Sequence, residues 1–279
     1  MSLTETILRE GIKDVISSFS PPSRSEEAAD FKSSSHYFRE ACFCLEGKNR
    51  YMLNGNVYDC LPGSIILINR WEEHAFGYLP EDCNLLHLWI YADEEHGMRA
   101  SMVRVESSGA YRYDFHKLQL TNGYMEILNN RWDMMLSLKA TRNQETALKY
   151  MSGPVNAILD EVATQLRQDK GSVRAEFDSV IESLKQHILS CNGRDCSLRN
   201  LEKFSGYNRF YLSHRFRKTE GCTIGEYIDR IRISYTKRAL HHGYRQKEIA
   251  SELGFSCPAN FWIWLRKHRK DISPTDING

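Results

Sequence analysis

The spacing of apolar positions changes character along the chain. Residues 3–18 place Leu3, Ile7, Leu8, Ile12, Val15 and Ile16 at weak helical spacing, which predicts a helix. SFSPPSRSEEAAD then reads as an irregular connector. From Tyr37 to about Tyr91, aromatic and β-branched residues fall in short runs: YFREACFCLEG, NRYMLNGNVYDCL, GSIILIN, EEHAFGYL and NLLHLWIYA. The turn signals LEGKN, LNGN and CLPGS separate them. Asn54-Gly55 predicts a type I′ hairpin, which needs positive φ at both central residues. Short strands joined by tight turns predict an antiparallel sandwich or small barrel.

Helical period takes over after Asn122. Tyr124, Ile127, Leu128, Met135 and Leu138 form one stripe. Over 144–168, Leu148, Met151, Val155, Ile158, Val162 and Leu166 recur three or four apart, with a bend or restart expected at Gly153-Pro154. This near-heptad stripe suits either a helix-helix dimer seam or packing within the chain. RQDKGSVR is polar and marks a linker, and residues from Ala175 onward read as helices. The expected architecture is α+β. It comprises an antiparallel β-barrel with an N-terminal arm over 1–121, a helical dimerisation or packing segment over 122–168, a linker over 169–174 and an all-α domain over 175–279.

Net charge of the 279 residues is +1, but it is unevenly spread. Residues 175–279 hold 18 Lys and Arg against 12 Asp and Glu, a net +6, while residues 1–174 hold 19 against 24, a net −5. A basic C-terminal module implies an anionic partner. No run of apolar residues is long enough to span a bilayer or to serve as a secretion signal, so a cytoplasmic protein is expected. The eight cysteines include no C-x-x-C pair and no zinc-finger spacing, and read as reduced structural thiols.

The basic half contains a repeat. Leu201-x4-Gly206-Tyr207 matches Ile249-x4-Gly254-Phe255, and Phe216-Arg217-Lys218 matches Leu265-Arg266-Lys267. Each unit reads as a short helix, a turn containing glycine, and a second helix ending in basic residues, which is the helix-turn-helix pattern. Leu201, Phe204, Leu212 and Phe216 would hold the first unit together; Ile249, Leu253, Phe261 and Leu265 would hold the second.

These residues carry a resemblance. SLRNLEKFSGYNRFYLSHRFRKTEGCTIGEYIDRIRI, KEIASELGF and NFWIWLRKH followed by Ser273-Pro274 resemble the paired helix-turn-helix domain of the arabinose-regulator (AraC/XylS) family of bacterial transcription regulators. The resemblance implies that each second helix enters one of two successive major grooves, with a long helix between them that includes residues 232–240. It assigns DNA contacts to Arg199, Asn208, Arg209, Phe210, Ser213, His214, Arg217 and Lys218 in the first unit. In the second it assigns Asn260, Trp262, Arg266 and Lys267. Asn208 is expected to cap the reading helix, and Arg209 and Arg217 to anchor phosphates. Phe210 is either a base contact or a core residue. The second unit departs from the family pattern at Leu265, Asp271 and Asn278. It also has Trp262, Ile263 and Trp264 where polar readers are usual, so most base readout is expected from the first unit. RNA polymerase is a further candidate partner that the resemblance implies.

In the acidic half, Gly55-x6-Pro62-Gly63 and His74, with His36, Glu40 and Glu46-Gly47, are similar to the cupin-like sensor barrel that precedes the paired helix-turn-helix in this family. The residues assigned to a small-molecule effector are His36, Glu40, Arg50, Tyr51, Trp71, His74 and Trp89. Tyr51, Trp71 and Trp89 could stack on a sugar ring and His36, Glu40, Arg50 and His74 could bond its hydroxyls; that the effector is a sugar or a related small molecule is what the resemblance implies. The function expected is a ligand-responsive transcription regulator, homodimeric, with no catalytic set, cofactor or metal. Two alternatives stand beside it. One is a cupin-type metalloenzyme in which His36, His74 and His87 cluster, although the usual His-x-His is incomplete at His36-Tyr37-Phe38. The other is a degenerate regulator that reads DNA poorly.

Overall fold

The structure, a computed structural model, describes residues 8–23, 33–77, 84–105, 111–112, 118–138, 143–168 and 175–272. The chain divides into two compact units, Met1–Ala175 and Glu176–Gly279. The 169–174 linker, Ser273-Pro274 and Asn278 lie outside the described residues.

The first unit is built on two sheets. The larger contains β1 (Asp14–Ile16), β5 (Ser64–Ile68), β2 (Arg39–Glu46), β7 (Leu85–Asp93), β8 (Gly97–Val105) and β10 (Leu118–Leu120) in that order, with β9 (Tyr111–Arg112) also paired to β8. The smaller is β4 (Asn56–Cys60), β3 (Asn49–Leu53) and β6 (His74–Gly77). The β3–β4 hairpin turns at Asn54-Gly55, with φ of 50° and 77°, as its two-residue connection requires. Pairing is antiparallel except between β1 and β5, which run parallel.

That parallel edge corrects the expected helix over 3–18. Residues 8–10 are helical and the turn stops at Gly11, but Asp14–Ile16 is a strand on the sheet edge. Val15 and Ile16 pair with Ile65 and Ile66, so long-range pairing overrides a weak local pattern.

The larger sheet presents two different faces, because successive side chains point to opposite sides. Ala41, Phe43 and Leu45 of β2, Leu86, Leu88 and Ile90 of β7, and Met98, Ala100 and Met102 of β8 join a continuous apolar core. Two helices close that core, α1 (Asn122–Ser137) and α2 (Gln144–Gln168). From α1 it takes Leu128, Trp132 and Met135; from α2 it takes Met151, Val155, Ile158, Leu159 and Val162. The α2 stripe is therefore consumed inside the chain, with Leu148 and Leu166 packed at its ends, and is not a free dimer seam. Nor does Gly153-Pro154 divide the helix. Pro154 is buried within a continuous α2, whose packed face offsets the hydrogen bond that proline cannot make.

One buried cation ties sheet to helix. Arg39 on β2 is almost fully enclosed. Its Nε donates to Asn69 Oδ1 (2.9 Å), Nη1 donates to the Asn129 carbonyl (3.2 Å) and Oδ1 (3.1 Å), and Nη2 pairs with Asp133. The guanidinium also lies over the Trp132 ring at 5.1 Å. Its neutral acceptors occupy fixed positions, whereas Asp133 is solvent-exposed. Arg39→Ala is expected to destabilise the unit by about 2–3 kcal/mol. Asp133→Ala should cost less than about 1 kcal/mol, because an exposed ion pair is well screened. Urea unfolding followed by tryptophan fluorescence measures both, and equal losses would contradict the assignment.

The second unit begins with α3 (Ala175–Ser190). The first helix-turn-helix is α4 (Leu198–Ser205) and α5 (Arg209–Glu220), the connecting helix is α6 (Ile224–His241), and the second unit is α7 (Gln246–Glu252) and α8 (Pro258–Lys267). Four helix starts have a local cause. Ser197 Oγ accepts from Asn200 N (3.2 Å), Asn208 Oδ1 from Tyr211 N (2.9 Å) and Glu248 Oε2 from Arg245 N (2.7 Å). Thr223 and Glu226 cap α6 reciprocally. Leu201, Leu212 and Phe216 are buried in the first pair, and Ile249, Leu253, Phe261 and Leu265 in the second; Phe204 is half-buried.

Candidate nucleic-acid interface and ligand-binding face

The second helix of each pair exposes most of the residues assigned to DNA contact. On α5, Arg209, Phe210, His214, Arg217 and Lys218 are exposed and Ser213 is half-buried. Phe210 is 74% exposed, with the Arg209 guanidinium 5.2 Å from its ring, so it is a surface residue and not part of the core. Asn208 is exposed and caps α5, and Arg199 is exposed in the first turn of α4. On α8, Trp262 and Ile263 are 51% and 65% exposed, and Arg266 sits over the Trp262 ring at 4.9 Å. Asn260 is exposed with its amide nitrogen donating to Ser256 Oγ (2.9 Å). Lys267 is exposed and lies 3.8 Å from Asp229.

Trp264 points the other way. It is buried against Phe255 and Phe261, and its indole nitrogen donates to Asp229 Oδ1 on α6 at 2.8 Å. His268 Nε2 is 3.4 Å from the same carboxylate. Asp229 thus fixes α8 to the connecting helix. The helical period carries the signal, since Phe261, Trp264 and Leu265 fall on one stripe and Trp262 does not.

In the first unit, the residues assigned to an effector sit mainly on the sheet face opposite the helices. Glu40, Cys42 and Cys44 of β2 share that face with His87, Trp89 and Tyr91 of β7. Tyr51, from the smaller sheet, reaches it: its hydroxyl lies 3.1 Å from Cys42 Sγ and 3.1 Å from His87 Nδ1, and its ring is edge-on to Trp89. Sequence reasoning left His87, Cys42 and Tyr91 out of the ligand set, although their alternation with Glu40 and Trp89 was available.

His36, Glu40 and His74 form a buried polar trio whose ligand atoms lie within 4.8 Å of one another. His36 Nδ1 donates to the Phe38 carbonyl (3.0 Å), and His74 Nδ1 to the Glu72 carbonyl (2.8 Å). Carbonyls only accept, so both rings present Nε2 inward. His36 Nε2 is 2.5 Å from Glu40 Oε2. The His36 ring stacks on Phe38 at 3.8 Å and stands edge-on to His74 at 4.7 Å. Such a trio could bond sugar hydroxyls or hold a divalent ion, each imidazole being oriented by its carbonyl.

Two assigned residues are placed apart from it. On β3, Arg50 falls on the face opposite Tyr51, is half-exposed, and pairs across the smaller sheet with Asp59 and Gly77. Trp71 is a half-buried turn residue at φ 60°, and its backbone N–H donates to the His36 carbonyl at 2.7 Å. It therefore braces the trio through its main chain.

Residues 22–100 match the AraC-like ligand binding domain, and residues 201–277 match a helix-turn-helix domain. The chain belongs to the AraC family of transcription regulators, with an N-terminal ligand-binding domain and a C-terminal DNA-binding one. It is similar to the Msm operon regulatory protein of Streptococcus mutans, 24% identical over 219 residues that cover 77% of this chain and 74% of that one. It is also similar to the probable transcription factor PqrA of Proteus vulgaris, 34% identical over 65 residues, 23% of this chain and 53% of that one. The crystal structure of ToxT from Vibrio cholerae aligns over 90% of this chain and 95% of its own, at 13% identity and a TM-score of 0.31. Among the described residues no helix is long and apolar enough to cross a membrane.

Two outcomes are expected. Trp264→Ala should destabilise the second unit by about 3–5 kcal/mol. Trp262→Ala should leave the unfolding midpoint unchanged and weaken DNA binding, measured by thermal denaturation and by anisotropy on labelled duplex. Burial, with the neighbouring His36 second, lowers the His74 pKa from 6.5 to about 4. The unfolded chain therefore takes up a proton on His74 before the folded chain does. This contribution to stability is whole above pH 6.5 and fades as pH falls toward 4, by at most about 3 kcal/mol. His74→Gln should flatten that part of the stability profile.

Proposed function

We propose that this regulator binds a sugar or a related polyhydroxylated molecule on the inner face of its N-terminal unit, as a cytoplasmic homodimer, and thereby alters its affinity for DNA. The observation that carries the effector class is the polar trio His36, Glu40 and His74 on the face that also bears Tyr51 and Trp89. Hydrogen-bonding groups beside aromatic rings match the alternating hydroxyl edges and apolar faces of a sugar ring. Because the trio is buried, binding is coupled to opening of the face. The ligand can shift the DNA-binding equilibrium only by its differential affinity for the two states. On the DNA side, Phe210, Ser213 and His214 carry base contacts, Arg199, Arg209, Arg217, Lys218, Arg266 and Lys267 carry phosphates, and Asn260 and Trp262 complete the second reading surface. RNA polymerase is the further partner of this reading.

The test is a titration of the full chain against promoter DNA from its own gene neighbourhood, at two salt concentrations, with and without a panel of mono- and disaccharides. Specific binding should exceed random-sequence binding by about 10³ or more. Arg217→Ala should weaken every sequence alike and reduce the salt slope by about one. One sugar should raise the thermal midpoint and shift DNA affinity, and Glu40→Gln should abolish that shift while binding of ligand-free protein to DNA persists. A panel that leaves both readouts unmoved overturns the sugar assignment. Light scattering of the DNA-free protein tests the dimer.

A further inference from the structure

A second cluster of donors lies in the DNA-binding unit, where the turn between α3 and α4 brings soft ligands together. His187 and Cys191 are one helical turn apart at the end of α3, and Cys196 precedes the Ser197 cap of α4. One donor atom from each lies within 4.8 Å of the other two, and the two sulfurs are 3.3 Å apart. The His187 ring is held by stacking on Phe204 at 4.1 Å. Cys196 is buried and Cys191 half-buried.

The turn that sets this geometry is fixed on both sides. Asn192, Gly193 and Asp195 all take positive φ. A Cβ at Gly193, at φ 74°, would stand 3.0 Å from Ile228 of α6, so glycine is favoured there by both backbone and space. Arg232 of α6 donates to the Gly193 carbonyl at 2.8 Å, and its guanidinium lies over Phe255, just after α7. The turn therefore abuts the start of the first helix-turn-helix and the helix that leads to the second.

We propose that His187, Cys191 and Cys196 form a binding site for a thiophilic d¹⁰ cation such as zinc. Thiolate and imidazole are the donors that such ions select. The spacing favours a metal over a disulfide. Sulfurs on a tetrahedral zinc stand about 3.7 Å apart, given Zn–S bonds of about 2.3 Å. From 3.3 Å the pair needs to open by a few tenths of an ångström. Disulfide closure to about 2.05 Å would require more than three times that movement and would leave the imidazole without a part. Binding of M²⁺ replaces two S–H bonds with two M–S bonds and releases two protons, giving a neutral core. Three protein ligands leave a fourth position for water, the arrangement of an exchangeable site and not of a closed structural one. A bound ion would lock the end of α3 to the start of α4 against Arg232, which ties metal occupancy to the placement of the first reading helix.

The test uses the full chain, reduced and stripped of metal, titrated with Co²⁺ and then with Zn²⁺ against a chromophoric chelator. The expected result is one equivalent showing thiolate-to-cobalt charge transfer with tetrahedral d–d bands, displaced by Zn²⁺ with a Kd below about 1 μM. Cys191→Ser, Cys196→Ser and His187→Gln should each weaken binding at least about 10-fold, with far-UV circular dichroism confirming the fold. His187→Gln keeps both sulfurs and serves if a cysteine variant fails to fold. His74→Gln, in the other unit, should leave the charge-transfer band intact. The proposal is overturned by a cobalt spectrum without thiolate bands, by binding that His74→Gln abolishes, or by a reduced protein that takes up no metal and on air exposure forms only a Cys191–Cys196 disulfide.

Discussion

Strict alternation along β2, β7 and β8 is the constraint on which the first unit rests. It divides one sheet into a helix-covered apolar side and a side where Glu40, His87 and Trp89 can gather. A slip of one residue in register would exchange the two sets, placing carboxylate and imidazole under Trp132 and Met151 and apolar groups opposite Tyr51. The continuous core beneath α1 and α2 makes such a slip prohibitively costly. The polar chemistry of that second face is thus secured by packing on the other side of the same strands, and Arg39 adds a directional tie to the helix above it.

The second unit is secured differently. Most helices of the two pairs are short, and four helix starts are specified by side chains: Ser197, Asn208, Thr223 and Glu248 each satisfy a backbone donor that would otherwise lack a partner. Apolar residues then join the helices in pairs, while Asp229 and Arg232, three residues apart on α6, serve the two ends of the unit. The first receives Trp264 from α8 and the second supports the turn before α4. Polar side chains on the connecting helix thereby position both reading helices, and exposed aromatic surface is left where a duplex would lie.

Much of this was legible because it depends on local periods. The repeated Gly206 and Gly254 turns, the Asn54-Gly55 hairpin and the caps all lie within a few residues of what they control. The chain's halves also differ in charge, which pointed to separate tasks. What escaped the sequence depends on distant partners. β1 becomes a strand only because Ser64–Ile66 offers an edge some fifty residues away. Arg50 could be grouped with Tyr51 on residue type, but residue type does not show which face of β3 each takes, and the register puts them on opposite faces. The trio was half visible, with His36 and Glu40 four apart and His74 on a later strand, but the bracing of His36 by the Trp71 main chain was not. Cys191 and Cys196 looked like scattered thiols because their meeting depends on a run of left-handed backbone that residue type alone does not announce.

The two reading surfaces held by α6 are unequal. One offers Arg209, His214 and Arg217 around a lone phenylalanine, and the other a tryptophan and an isoleucine beside Arg266. An 18-residue helix about 27 Å long joins them within a single chain. A protomer built this way has a head and a tail, and any duplex segment it grips acquires the same polarity. Reversing the orientation of that segment relative to a promoter would then turn the protomer around, presenting a different flank to whatever machinery stands beside it.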